Sequence, residues 1–298
     1  TLLGAPFMAL LVTLVVWLWH RWRTRASAHP PQPDRKTPPV RWVWIWFFAL
    51  IADFSHILLD WTNNYGIRPL FPFNPHWYVG SIFFIFEPVL FAALLAALLV
   101  PAILGLADGE IGVRRQPFRG RGWAIFALCA TVLLGCWRWA EHERALHLLA
   151  AQNYQNEAPL RMAVSPYPGD VFRWFGVVET KDFYQTALLN TRTGAFLSQA
   201  PADLYYKQPQ TPAILAAKSS WLGRVFLDWS QFPFVEESGD FGTLPSGDHS
   251  TEVHFQDLRF GYNVLFLHGR RSNPLSGTVT IAPNGEIDEM RMVHRVQK

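Results

Sequence analysis

Long apolar runs alternate with short polar or proline-rich stretches along the first half of the chain, while the second half sets short apolar runs between turn residues. Leu2 to Trp19 is continuously apolar, enough to cross a hydrocarbon core of roughly 30 Å at about 1.5 Å per residue. Trp42 to Trp61 is a second such run, with aromatic residues at both ends, where membrane interfaces favour them. The third covers Gly80 to Leu104, with a kink expected at Pro88 because proline removes a backbone donor and clashes with the preceding turn. The fourth is Trp123 to Ala140, and the polar stretch EHERALHLLAAQNYQNEA after it reads as a continuation of the same helix.

Beyond that point the period changes. VFRWFGVVET, FYQTALLNT and AFLSQ are aromatic and β-branched runs that predict strands. TPAILAAKSSWLGRVFLDWSQF carries helical spacing through Ile214, Leu215, Trp221, Leu222, Val225 and Phe226, with Pro212 suited to a first turn. TEVHFQDLRFG, NVLFLHGR and GTVTIAPNGEIDEMRMVHR predict antiparallel strands, the last two-strand unit closed at Asn284-Gly285. The expected fold is therefore an α-helical membrane bundle of about four transmembrane helices over residues 1–145. A soluble α+β domain with antiparallel sheet is expected over residues 146–298.

Charge adds orientation to this picture. Lys and Arg number 26 against 23 Asp and Glu, a net +3 in 298 residues. Arg21, Arg23, Arg25, Arg35, Lys36 and Arg41 follow the first run, and Arg114, Arg115, Arg119 and Arg121 follow the third. Positive residues gather in cytoplasmic loops, so the excess points to an inner membrane and not to nucleic acid. The loop after the second run, with Arg68 as its one basic residue, and everything after the fourth are then extracytoplasmic. Cys129 and Cys136, the two cysteines, support neither a disulfide framework nor a Cys metal site. The opening TLLGAPFMALLVTLVVWLW has no basic lead and no small-residue cleavage site, so it reads as a span in a fragment and not as a signal peptide.

Candidate chemistry concentrates between Asp53 and Pro88. Ionisable groups are costly in hydrocarbon, so those found there point to a functional site by default. Asp53, His56 and Asp60 stand at i, i+3 and i+7, within about 60° of one helix face. His56 and Asp60 have the i, i+4 spacing at which two side chains grip one ion, and an imidazole with a carboxylate suits zinc, manganese or iron. Glu87 is expected one or two turns into the third span, at a matching depth. The competing account has these groups hydrogen-bonding neighbouring helices, with Asp53 either supporting a ligand or packing as a buried polar residue. No G-x-S-x-G, H-E-x-x-H or P-loop is present. Glu143 and His147 share a helix face that reads as solvated polar surface, and Asp257 points away from Glu252 and His254 on a strand.

HILLDWTNNYGIRPLFPFNPHWY followed by IFEP resembles the YdjM-like inner-membrane proteins through His56, Asp60, Tyr65, Gly66, Pro72, Phe73 and Glu87-Pro88. Glu87 stands where the family more often has Asp. The resemblance covers about residues 1 to 140 and implies a membrane-bound, metal-dependent hydrolase acting on phospholipid or another membrane ester. It implies a divalent metal ion, zinc among the candidates, with His56, Asp60 and Glu87 as ligands and Glu87 and Asp53 in catalytic roles. Asn64, Tyr65 and Arg68, beside Asn63, are implied contacts for an anionic head group, Arg by charge and bidentate geometry; ordinary loop polarity is the plainer account of them. The family's upstream TH, PD-x-D and HRG-x-TH elements are not in this sequence, so only part of the implied ligand set is expected here. The rival reading is a non-catalytic envelope protein whose membrane part presents a binding domain.

Overall fold

Four helices carry the four apolar runs: α1 (Ala5–Ala26), α2 (Trp42–Thr62), α3 (Pro88–Ile111) and α4 (Arg121–Ala150). Each is long and apolar enough to cross a membrane. Their large apolar side chains, among them Leu14, Val15, Phe48, Leu58, Leu98 and Leu133, point outward, as they do where the surrounding solvent is itself hydrocarbon. The computed structural model describes residues 1–26, 39–111, 120–198, 201–238, 250–261, 275–292 and 295–297. Arg35, Lys36, Arg114, Arg115, Arg119, most of the proline-rich loop and the strand expected at NVLFLHGR lie outside the described residues.

Two compact units are formed, Thr1–Ser81 and Ile82–Lys298. In the first, α1 lies against α2 and the Trp46 indole donates to the Pro6 carbonyl at 3.4 Å. The loop after α2 is folded by its own backbone. Ile67 and Tyr78 exchange hydrogen bonds of 2.9 and 2.8 Å, and Gly80 N–H donates to the Trp61 carbonyl at 2.7 Å. Only glycine permits that approach, since a Cβ on Gly80 would stand 2.8 Å from the same oxygen.

The second unit corrects the expected third span. Residues 80–87 are not helical, and α3 starts at Pro88. Proline suits the first helical position, where its missing N–H has no partner to lose. The Glu87 carbonyl accepts the first helical bond, from Phe91 N–H at 3.0 Å. Ile82, Phe83 and Phe84 are buried, and Phe84 joins a core with Phe175, Val177, Tyr184, Phe232, Phe234 and Leu258. Ile82–Phe84 therefore fill protein, while Ile85 and Phe86 stay exposed. The proline inside α3 is Pro101.

As expected, α4 continues past its apolar part, and its last turns enter the soluble domain. Ala145 and Leu149 pack with Val164, Trp174, Val178, Phe183, Ala187 and Leu189. These residues belong to a sheet of β1 (Arg161–Pro166), β2 (Arg173–Glu179), β3 (Phe183–Asn190) and β4 (Ala195–Leu197), in that order, with β5 (Leu204–Tyr206) also on β3. Strand alternation sends Trp174 and Val178 towards α4 and Phe175 and Val177 to the other core. Gly176 faces α4 as well; a Cβ there would meet Leu149 at 2.9 Å.

A second sheet runs in the order β10 (Arg295–Gln297), β9 (Ile287–Met292), β8 (Ser276–Ile281), β7 (Thr251–Asp257), β6 (Pro233–Ser238), every pair antiparallel. Asn284-Gly285 does turn β8 into β9, with Gly285 at φ +83°. The helical stretch divides into α5 (Pro212–Ser219) and α6 (Trp221–Trp229), because Ser220 turns extended and its hydroxyl caps α6 by accepting from Gly223 N–H at 2.9 Å. Ile214, Ala217, Leu222 and Phe226 cover Val253, Phe255, Val279 and Ile281 of this sheet. Four-helix membrane segment and antiparallel α+β region thus both match the expectation; β1, β5, β6 and β10 were not foreseen.

Candidate functional site

One helical turn of α2 brings His56 and Asp60 together. The His56 Nε2 and Asp60 Oδ2 atoms are 3.3 Å apart, with side chains 77% and 45% exposed. Asp53, one turn earlier on the same face, has a buried Oδ2 without a hydrogen-bond partner. The loop that follows holds the implied head-group contacts differently from one another. Asn64 is fully buried, and Tyr65 is half-buried, its phenol pushed up by burial. The Asn63 side chain accepts from Tyr65 N–H at 2.8 Å, so it shapes the turn. The Arg68 guanidinium stacks 4.4 Å over the Trp77 ring.

Glu87 belongs to the other unit and meets a cation there. Arg138 of α4 donates from Nη2 to Glu87 Oε2 at 2.6 Å, with side chains 0% and 2% exposed respectively. Arg138 Nη1 donates to the Asp170 carbonyl at 3.1 Å, and its guanidinium lies 5.9 Å from the Trp174 ring centre. Glu87 Oε1 and Arg138 Nε are buried with no hydrogen-bond partner. One turn on, buried Glu141 binds Arg144 at 2.5 Å and accepts from the Thr191 hydroxyl. One guanidinium on α4 therefore holds both the residue before α3 and the β1–β2 connection.

The sequence reading missed Arg138, although an arginine in the fourth apolar run was a visible signal of the same kind as Glu87. Glu143 and His147 are exposed, as a solvated helix face requires. Asp257 is buried and accepts from Ser230, Gln231 and Arg259, on the face opposite Glu252 and His254, as expected; Asp248 and His249 lie outside the described residues.

These donors do not make a complete divalent-metal centre. A catalytic zinc has about three protein ligands, and among the described residues no group of three His, Cys, Asp or Glu is placed to hold an ion. His56 and Asp60 supply two. Glu87 Oε2 is already on a guanidinium, which leaves only the buried Oε1 for any other cation.

Residues 1–145 match the family model of the YdjM inner membrane protein. Over that range the chain is YdjM-like. The YdjM-like part holds α1, α2, α3 and the apolar part of α4, and ends five residues before α4 does. No curated protein and no solved structure matches the chain. The match over residues 1–145 and the four helices together make this a membrane protein, associated with a lipid bilayer.

Proposed function

We propose that the chain is a multi-pass inner-membrane protein whose YdjM-like helices anchor and present a soluble, two-sheet binding domain on the extracytoplasmic side. The observation that carries this reading is α4. It leaves the apolar span without a break and supplies Ala145 and Leu149 to the first sheet's core. The buried Glu87–Arg138 pair adds a second attachment at the same end of the helix. A helix that is both span and core element transmits its orientation to the domain it carries. The arginines after α1 and α3 set that orientation, away from the cytoplasm. Fusion of a reporter active only outside the cytoplasm after Lys298 tests it: signal is expected there, and signal from a cytoplasmic reporter instead would overturn the orientation.

His56 and Asp60 favour a second reading, the metal-dependent hydrolase that the family resemblance implies. In it the pair contributes two ligands to an ion whose other donors the described residues do not supply, and Tyr65 and Arg68 are left as the head-group contacts, since Asn64 is fully buried. Metal content of the full protein purified in detergent separates the two readings. Stoichiometric zinc, manganese or iron that is lost in His56→Ala and in Asp60→Ala supports the hydrolase, and equal metal in all three removes the site.

A further inference from the structure

A cleft of about 110 Å³ opens in the soluble domain between the first sheet and the edge of the second. Tyr184 of β3, Lys207, Gln208 and Gln210 after β5, Lys218 of α5 and the Pro233–Val235 part of β6 line it. We propose that this cleft binds a small oxyanion of the phosphate type, held by Lys218. Three features support it. The wall itself is positive, because its lining holds Lys207 and Lys218 and no carboxylate, and the Glu179 that meets Lys207 at 2.8 Å is shared with Arg161 at 2.5 Å. Lys218 itself meets a neutral group, donating to the Gln210 side-chain oxygen at 2.6 Å. It therefore keeps ammonium protons for an incoming acceptor, and burial lowers its pKa, as expected for an amine that meets no carboxylate among the described residues.

The remaining walls fit the same ligand. Lys207 is fixed by Glu179 and by the Thr180 carbonyl at 2.8 Å, and lies 5.0 Å over the Tyr184 ring, so it contributes field and not a mobile arm. The Tyr184 hydroxyl donates to the Pro233 carbonyl, closing the apolar floor. β6 carries Glu236 and Glu237, neither of which lines the cleft, and Glu237 is engaged by the Thr211 hydroxyl at the opposite end of α5 from Lys218. A compact, multiply charged acceptor suits such a site better than a long chain does. This inference names a ligand for the domain described above, and it rests on that reading only for where the ligand comes from.

Titration of the full chain in neutral-lipid nanodiscs with inorganic phosphate, followed calorimetrically, provides the test. Saturable binding is expected in the wild type. Lys218→Ala is expected to weaken it at least about tenfold, which is ~1.4 kcal/mol, and Lys218→Arg to keep it within about threefold, with unchanged circular dichroism in both. Lys181→Ala, outside the cleft, should bind as wild type does. Repeating the titration in nanodiscs rich in phosphatidylglycerol assigns the source: competition identifies a lipid head group, and undiminished binding identifies dissolved phosphate. Absence of saturation with phosphate at about ten times a 1 mM Kd, ~4.1 kcal/mol of binding, or wild-type affinity in Lys218→Ala, overturns the site. The orientation result from the reporter fusion is independent of either outcome.

Discussion

Two of the acid–base pairs in the helical part of this protein differ in almost every physical respect. Glu87 and Arg138 come from separate elements, meet at 2.6 Å and are excluded from solvent. His56 and Asp60 come from one helix turn, stand 3.3 Å apart and are largely exposed. Burying a charge is costly unless it is paired, and once paired the removal of either partner leaves the other stranded. An exposed pair carries little of that penalty. The first pair is therefore bound up with folding, whereas the second is available for a ligand.

The largest effect should follow from breaking the buried pair. Arg138→Ala strands the Glu87 carboxylate and is expected to cost about 3–5 kcal/mol, whereas replacing both residues by neutral ones of similar volume, Glu87→Gln with Arg138→Met, should come close to neutral. Thermal unfolding of the full chain in detergent measures both. A single variant no more harmful than the double would mean that the pair is not isolated from solvent.

Next in size is the contact that makes α4 part of the domain. Leu149→Ala removes a fully buried side chain from the first sheet's core and should cost about 2–5 kcal/mol. Gly176→Ala places a methyl against the same leucine and should cost about 1–3 kcal/mol by overpacking. If both leave the melting temperature unchanged, α4 is a tether and no core element.

A smaller effect comes from a third ion cluster, which has an intermediate environment. Burial raises the pKa of Glu179, but hydrogen bonds from Lys207 and Arg161 outweigh it and hold the carboxyl below its ordinary value. The unfolded chain then binds the proton more tightly than the folded one. Stability from this group is present above the unfolded pKa of about 4.3 and is lost as pH falls through the folded value. Glu179→Gln should flatten that acid limb of the stability curve while leaving its slope above pH 6 unchanged.

The contrast between the pairs also shows what could be read from the sequence. His56 and Asp60 were legible because helix geometry alone joins residues at i and i+4. The four apolar helices were legible for a similar reason, since length and hydropathy are local properties. Glu87 was seen as unusual, but its partner is 51 residues away, and no local period connects them. The sequence predicts a kink at Pro88, although proline at a first helical position is equally regular; deciding between the two requires knowing that Phe84 joins one core with Phe175 and Phe234. The soluble strands were found where alternation was strong and missed where they were short or flanked by proline, as in Arg161–Pro166 and Pro233–Ser238. The cleft at Lys218 had no sequence signal, because its walls come from four separated stretches.

The smallest expected stability effect is at His56 and Asp60, and for that reason it discriminates best. His56→Ala or Asp60→Asn should shift unfolding by less than about 1 kcal/mol, as exposed pairs do. A change of several kcal/mol would mean that the two residues are buried in the assembled protein, and the contrast with Glu87–Arg138 would collapse. With stability held constant, any loss of bound metal or of lipid hydrolysis in these variants reports on the site itself. The order of the two measurements matters: a stable variant that has lost metal marks a binding pair, and a stable variant with nothing to lose leaves the helices with the role of anchor.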